Sequence, residues 1–214
     1  MGFFAVSDRT PLVLIGGGGH CRSCIDVIET GGTYKVQGIV EADGATADRK
    51  TPYPLIGFDS ELPALIEKFP HCLITVGQIK SAKIRQNLFE KLQRLGATLP
   101  EIISSTAYVS SSAELGIGTI VMHQALVNAC AKVGVNGIIN SQALIEHDVI
   151  IGDHCHIATG AKVNGGVVLG NGCFIGSGAV LKQGIVLADK VVIGANSTVL
   201  RDVTEPGIYT GMIK

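Results

Sequence analysis

The chain places one imidazole between two carboxylates, because Glu146, His147 and Asp148 are consecutive and follow Ile145. A histidine of ordinary pKa, about 6.5, can take up a proton as a bond forms at neutral pH, and a neighbouring carboxylate holds its tautomer and stabilises its cation. Glu146 and Asp148 both qualify for that part. A second group of interest lies near the N-terminus, where Gly16-Gly17-Gly18-Gly19-His20 follows the apolar run Leu12 to Ile15. Strand, glycine turn and helix start in succession expose backbone N–H groups to a phosphate. Cys21 stands where a dinucleotide fingerprint needs its third glycine, which argues against a nicotinamide or flavin cofactor. Glu41 and Asp43 close the next apolar stretch, a position that often receives a ribose hydroxyl or a base edge. Cys21 and Cys24 form a C-x2-C with no second ligand pair nearby, so no metal is expected.

The histidine sits inside a long repeat. From Ala107 to Asp202 the chain divides into sixteen hexads without an insertion, and the third place of each is Val, Leu or Ile. A helix repeats every 3.6 residues and a strand alternates every two, so a strict period of six is neither. It suits short strands separated by turns, each unit burying its apolar face against the next, which makes a solenoid. The third places, from Val109 to Val199, and the small first places point into its core. Cys155 and Cys173 occupy first places and read as buried small residues. Gly118, Asn136, Gly160, Gly172, Gly178, Gly184 and Asn196 end their hexads, where a turn calls for positive φ.

Ahead of the repeat, Leu12 to Ile15, Lys35 to Val40 and His71 to Val76 read as strands. Cys21 to Thr30, Asp59 to Phe69 and Ser81 to Leu95 read as helices, and Thr46 to Gly57, with Pro52 and Pro54, as loop. The expected architecture is therefore mixed: a small Rossmann-like α/β domain over 1–104, a parallel β solenoid over 105–202 and a C-terminal tail over 203–214. A formal net charge of -1 over 214 residues gives no basic field for nucleic acid. The composition is 46% hydrophobic, yet no unbroken apolar run reaches the length of about 18 residues that a membrane span requires. The start, MGFFAVSDRTP, has no secretory pattern, so the cytoplasm is the expected compartment.

The hexads resemble those of the hexapeptide-repeat acyltransferases. Together with the G-G-G-H segment and Ile145-Glu146-His147-Asp148, they are similar to the sialic-acid O-acetyltransferase family in its broad sense, over Leu12 to Gly211. That family includes bacterial N-acetyltransferases of nucleotide-linked 4-amino-4,6-dideoxy sugars. The resemblance implies a left-handed parallel β-helix with three hexads to a coil, so that residues 18 apart are stacked and Gly165 lies over His147. It also implies a homotrimer with active sites between subunits, acetyl-CoA as co-substrate, a nucleotide-linked amino sugar, UDP-linked by expectation, as acceptor, and no metal. His147 would be the general base, with Asp148 where the family often has Glu. His156 would stand at the acetyl and pantetheine end, the Gly165 N–H would receive the thioester oxygen with Asn164 beside it, and Asn140 would lie beside the acceptor. Gly17, Gly19, His20, Glu41, Asp43 and Gly77 would hold the nucleotide sugar, with Lys80 and Arg85 as diphosphate contacts. Two other activities fit the same residues: O-acetylation of sialic acid or a related nonulosonate, and a non-catalytic trimeric scaffold that binds a nucleotide sugar.

Overall fold

The computed structural model describes residues 9–45 and 51–214. The N-terminal pattern up to residue 8 and positions 46–50 of the expected loop lie outside the described residues. Four parallel strands open the fold: β1 (Thr10–Ile15), β2 (Tyr34–Glu41), β3 (Leu55–Phe58) and β4 (Cys72–Ile74), in the spatial order β3-β2-β1-β4. Their helices are α1 (Gly19–Gly31), α2 (Leu62–Lys68), which follows a 3-10 turn over Asp59–Glu61, and α3 (Lys83–Arg94). β3 begins within the stretch read as loop, at Leu55, and runs one residue past it to Phe58. Pro52 and Pro54 punctuate its approach, but Leu55 onward pairs with β2 from Ile39. An edge strand tolerates such an entry because prolines just before it cost no ladder bond.

Amphipathic spacing sets the packing of the helices. α1 buries Cys21, Cys24, Ile25, Val27 and Ile28 along one stripe, and Gly32 ends it in the left-handed region at φ 74. That stripe packs between Leu12, Leu14 and Val36 of the sheet and Ile102, Ile120 and Ile138 of the solenoid. α3 sets Phe89 and Leu92 against Val13, Ile15 and Val135. Because β1 is flanked by both β2 and β4, the strand order turns there. A ligand crevice is expected at that turning point, beyond the carboxyl ends of the strands, and the glycine loop after β1 and Gly77 after β4 both open onto it.

The remaining strands form three parallel sheets of five, seven and seven, the faces of a left-handed β-helix with three hexads to a coil. Ile139 pairs with Ile157, and Ile157 with Ile175, so neighbouring coils are in register at 18 residues. First and third places meet in one continuous core that includes Ala143, Ile145, Cys155, Ile157, Cys173 and Ile175. The ladder overruns the expected boundaries at 104 and 202. Ile102–Ile103 already pairs with Ile120–Val121, while Gly207–Tyr209 and Met212–Ile213 add a further strand to two of the sheets. The C-terminal segment is thus a partial coil, held because the last full coil offers unpaired backbone groups that strands can satisfy.

Sixth places from Gly118 to Asn196 lie in the left-handed region, as expected for the glycines and Asn136, but Gln124, Cys130, Gln142, Asp148, His154 and Lys190 share that geometry, with φ between 56 and 60. At one corner, the fifth places form a ladder: Val135 N–H donates to Asp153 Oδ1 at 2.9 Å, Asp153 N–H to Asn171 Oδ1 at 2.8 Å and Asn171 N–H to Asp189 Oδ1 at 2.7 Å. The preceding fourth places Gly134, Gly152 and Gly170 are glycine because the coils touch there. A Cβ on Gly152 would fall 2.8 Å from the backbone of both Gly170 and Asn171. Gly152→Ala is therefore expected to lower stability by about 1–3 kcal/mol, measurable as a reduced midpoint in urea unfolding, whereas alanine at the half-buried turn residue Gly160 would meet no such collision and would bear only the strain of its positive φ.

Candidate active site

Glu146, His147 and Asp148 form the turn between the strands Leu144–Ile145 and Ile150–Ile151, at one corner of the triangular section. Asp148 occupies the sixth place at φ 59, and its Oδ2 stands 2.8 Å from His147 Nδ1. A carboxylate accepts, so Nδ1 carries the proton and Nε2 is left with its lone pair. This hydrogen bond is the largest influence on His147 and raises its pKa above the ordinary value; desolvation opposes it, and the charges of Asp148 and Glu146 add to the rise. Glu146 is occupied elsewhere: its Oε2 accepts from Asn128 Nδ2 at 2.8 Å and from the His147 backbone N–H at 3.2 Å. Of the two neighbouring acids, Asp148 is the one on the imidazole.

Gly165 lies one coil further on, directly over this ring. A Cβ there would stand 2.7 Å from both Nε2 and Cε1 of His147, so only glycine permits the approach. Asn164 donates from Nδ2 to the Leu181 carbonyl at 2.6 Å. These residues line an open cleft of about 500 Å³ together with Val180, Lys182, Gln183, Thr198 and Leu200. Lys182 and Gln183 were not among the expected site residues. They were within reach of the sequence, since they stand 18 residues beyond Asn164 and Gly165.

A second cluster lies where the α/β domain meets another face of the helix. His156 is 7% exposed, with Nδ1 2.7 Å from the Gln78 carbonyl oxygen and Nε2 3.1 Å from Asn140 Nδ2. Phe174 meets its ring edge-on and His20 stands 6.2 Å away, centroid to centroid. Gly77 packs on His20, whose Cβ would be 3.5 Å from a Cβ at that glycine. Burial holds both imidazoles neutral, with pKa values lowered to about 4 for His156 and about 3 for His20. Within one chain His156 therefore does not join His147 and Gly165. Nine residues are half of the 18-residue coil, which carries His156 to a different face from the His147 turn.

The nucleotide residues divide in the same way. Thr75 Oγ1 donates to the Gly16 carbonyl at 2.6 Å, which ties the glycine loop to β4. Gly17 is buried, and its N–H donates to Glu41 Oε1 at 3.0 Å, so it is not open to a phosphate as expected; Gly18 and Gly19 are the exposed members of the loop. Asp43 accepts from the Ser60 N–H at 3.2 Å and from Ser60 Oγ at 2.7 Å, which makes it a tie to the 3-10 turn. Lys80 lines a separate cavity of about 490 Å³ with Lys83, Gln86 and Lys190. Arg85 is buried between the two domains and unavailable to a diphosphate. Among the described residues no group of three or more His, Cys, Asp or Glu could hold a metal ion.

Comparisons with known proteins give the family. Residues 11–92 match the PglD N-terminal domain model, and residues 166–201 match the bacterial transferase hexapeptide (six repeats) model. No curated protein sequence matches the chain. Perosamine N-acetyltransferase from Caulobacter crescentus, solved as a variant in complex with CoA and GDP-perosamine, is 32% identical at a TM-score of 0.87, covering 94% of this chain and 93% of that one. The chain belongs to the left-handed β-helix sugar N-acetyltransferases. The acetyltransferase domain of PglB from Neisseria gonorrhoeae is 30% identical at a TM-score of 0.84, covering 95% and 97% of the two chains, and a complex with acetyl coenzyme A is also known. WeeI from Acinetobacter baumannii, at 20% identity and a TM-score of 0.81, shares the fold.

For this member of the family, imidazole titration by NMR is expected to place His147 above the ordinary histidine value of about 6.5. Asp148→Asn should return it toward that value, and Glu146→Gln should move it less. An equal response to both substitutions would contradict the placement of Asp148 on Nδ1.

Proposed function

We propose that the chain transfers the acetyl group of acetyl-CoA to the 4-amino group of a nucleotide-linked 4-amino-4,6-dideoxy sugar, with His147 as general base. The observation that carries the reading is the alignment at the wall of the cleft, where Asp148 holds Nδ1 and Nε2 faces Gly165. The complexes of the 32% identical perosamine enzyme support it on the substrate side, and they move GDP ahead of the expected UDP as the first nucleotide to try.

The amine attacks the thioester carbonyl carbon while His147 Nε2 accepts the proton leaving nitrogen. Asp148 steadies the imidazolium that results. The Gly165 N–H is the proposed donor to the developing oxyanion, a contribution of about 3 kcal/mol for one such donor. The carbon–sulfur bond then breaks, and the departing thiolate takes the proton back from the imidazolium, leaving amide and free CoA.

One chain holds His147 and the Asn140–His156–His20 cluster on different sides of the coil, so we place the reaction between subunits of a homotrimer in the cytoplasm. Support comes from the outward second places of one sheet, where Ile150 and Val186 are each 47% exposed beside Val168, an apolar strip suited to a second copy of the chain.

His147→Ala should lower kcat/KM by about 100-fold or more while acetyl-CoA binding persists, read by thiol release with GDP-, UDP- and dTDP-linked 4-amino sugars and with free sialic acid. Near-normal turnover would remove His147 as base, and acetyl gain on sialic acid alone would favour the O-acetyltransferase reading. Co-expressed His147→Ala and His156→Ala chains should recover activity that neither has alone. A site confined to one chain predicts no recovery.

The proton balance also fixes the pH response. Since His147 acts unprotonated and its pKa is raised, kcat/KM should fall as pH drops through a value above about 6.5, and Asp148→Asn should shift that fall to lower pH.

A further inference from the structure

Arg85 is the largest fully buried side chain among the described residues, at 1% exposure, and its hydrogen bonds go to no carboxylate. Nη1 donates to the carbonyls of Ile74 at 3.0 Å and Val76 at 2.8 Å, at the end of β4. Nη2 donates to the backbone carbonyl of Asn136 at 3.0 Å and to its Oδ1 at 2.6 Å, on a corner of the β-helix. Asn136 answers from Nδ2 to the Arg85 carbonyl at 3.2 Å. Burying a cation among neutral carbonyls is costly, and an apolar side chain of like volume would often be as stable. What an apolar side chain lacks is the fork that fixes the end of β4 in one domain against a turn of the other.

The segment so fixed leads straight to the cluster in which His156 lies with Asn140 and His20, the residues expected beside the acceptor, rather than at the acetyl end expected of it. Gln78 follows Val76 by two residues, and its carbonyl is the partner of His156 Nδ1 at 2.7 Å. A carbonyl only accepts, so Nδ1 bears the proton and the neutral ring offers a lone pair at Nε2. Asn140 must then present its NH2 to Nε2, at 3.1 Å, and its Oδ1 is left to accept from the Ser141 N–H at 2.8 Å. With the other tautomer, Nε2–H would meet an NH2 group. Relief would require Asn140 to flip and give up its bond from Ser141. One backbone carbonyl therefore sets the donor and acceptor sense of both side chains.

We propose that Arg85 is a positioning residue: by holding Ile74 and Val76 against Asn136, it keeps the Gln78 carbonyl two residues on against His156 Nδ1 and so fixes the polarity that His156 and Asn140 present to the acceptor. The part concerning the acceptor rests on the acetyltransferase reading. The part concerning the tautomer does not. Burial lowers the Arg85 pKa only to about 10, so the guanidinium remains charged at neutral pH and keeps all its donors.

The test uses the full chain labelled with 15N in its histidine rings, as wild type, Arg85→Gln and Arg85→Lys. In the wild type, His156 should show one protonated and one unprotonated ring nitrogen with Nδ1–H, unchanged from pH 8 to 5.5. Arg85→Gln should move the two signals toward each other as the tautomers exchange. It should also raise KM for the amino sugar by about tenfold, the loss of one buried hydrogen bond, with acetyl-CoA affinity changed less than about twofold. Arg85→Lys, which keeps the charge but not the fork, should fall between. Unchanged His156 signals in a folded Arg85→Gln chain would overturn the proposal, as would equal losses of acetyl-CoA and acceptor binding. Failure of both variants to fold would also overturn it, by making Arg85 a purely structural residue. If the wild type transfers no acetyl group at all, the ring signals still decide the tautomer, so the two readings fail separately.

Discussion

Backbone hydrogen bonding between coils at a fixed interval of 18 residues is the constraint on which the rest depends. Each strand of the solenoid is only two or three residues long and could not persist alone. Stacking gives every strand but those at the two ends of each sheet two neighbours, and gives the buried first and third places a continuous core to join. The same stacking turns sequence positions into columns, so chemistry can be assembled from residues far apart in a turn-by-turn list. Gly165 over His147 is one such column, and the Asp153–Asn171–Asp189 ladder is another. The first brings an imidazole to a surface with no Cβ, and the second satisfies turn N–H groups that the tight glycine contacts leave without other partners.

The α/β domain is attached to this lattice by polar contacts as well as by the stripe of α1. His123 links Ser104 Oγ at 2.6 Å to Asp26 of α1 at 2.8 Å, and Arg85 spans from β4 to Asn136. These contacts are directional in a way that apolar packing is not. They determine where the carboxyl ends of β1 and β4 sit relative to Asn140 and His156, and that spacing is what an acceptor bridging the two domains would experience.

Much of this was legible in the sequence. The hexads give strand positions, the inward places and the turns of positive φ, and the column rule places Gly165 and Asn164 above the His147 turn. Other features were hidden for identifiable reasons. The choice of Asp148 over Glu146 depends on the left-handed sixth place that brings its carboxylate to Nδ1, a backbone property that residue types do not disclose. His156 looked adjacent because nine residues is a short distance along the chain, yet it is half a coil around the section. Lys80 and Arg85 looked alike as cations near a nucleotide loop. Only packing distinguishes the exposed lysine from the guanidinium sealed between domains, and only packing shows that Asp43 is engaged by Ser60.

The register of the helix also bears on how such a protein can change length. A residue added or lost inside a coil would rotate every later side chain relative to the earlier ones, so inward and outward places would exchange and each column would be broken at that level. A hexad would preserve the inward pattern but shift the following strands to the next face, parting Gly165 from His147. Eighteen residues, one full circuit, is the smallest change that leaves all columns aligned. Growth of the solenoid is therefore quantised. The partial coil at Met212–Ile213 marks the end at which a further circuit could be added without disturbing the corner that holds His147.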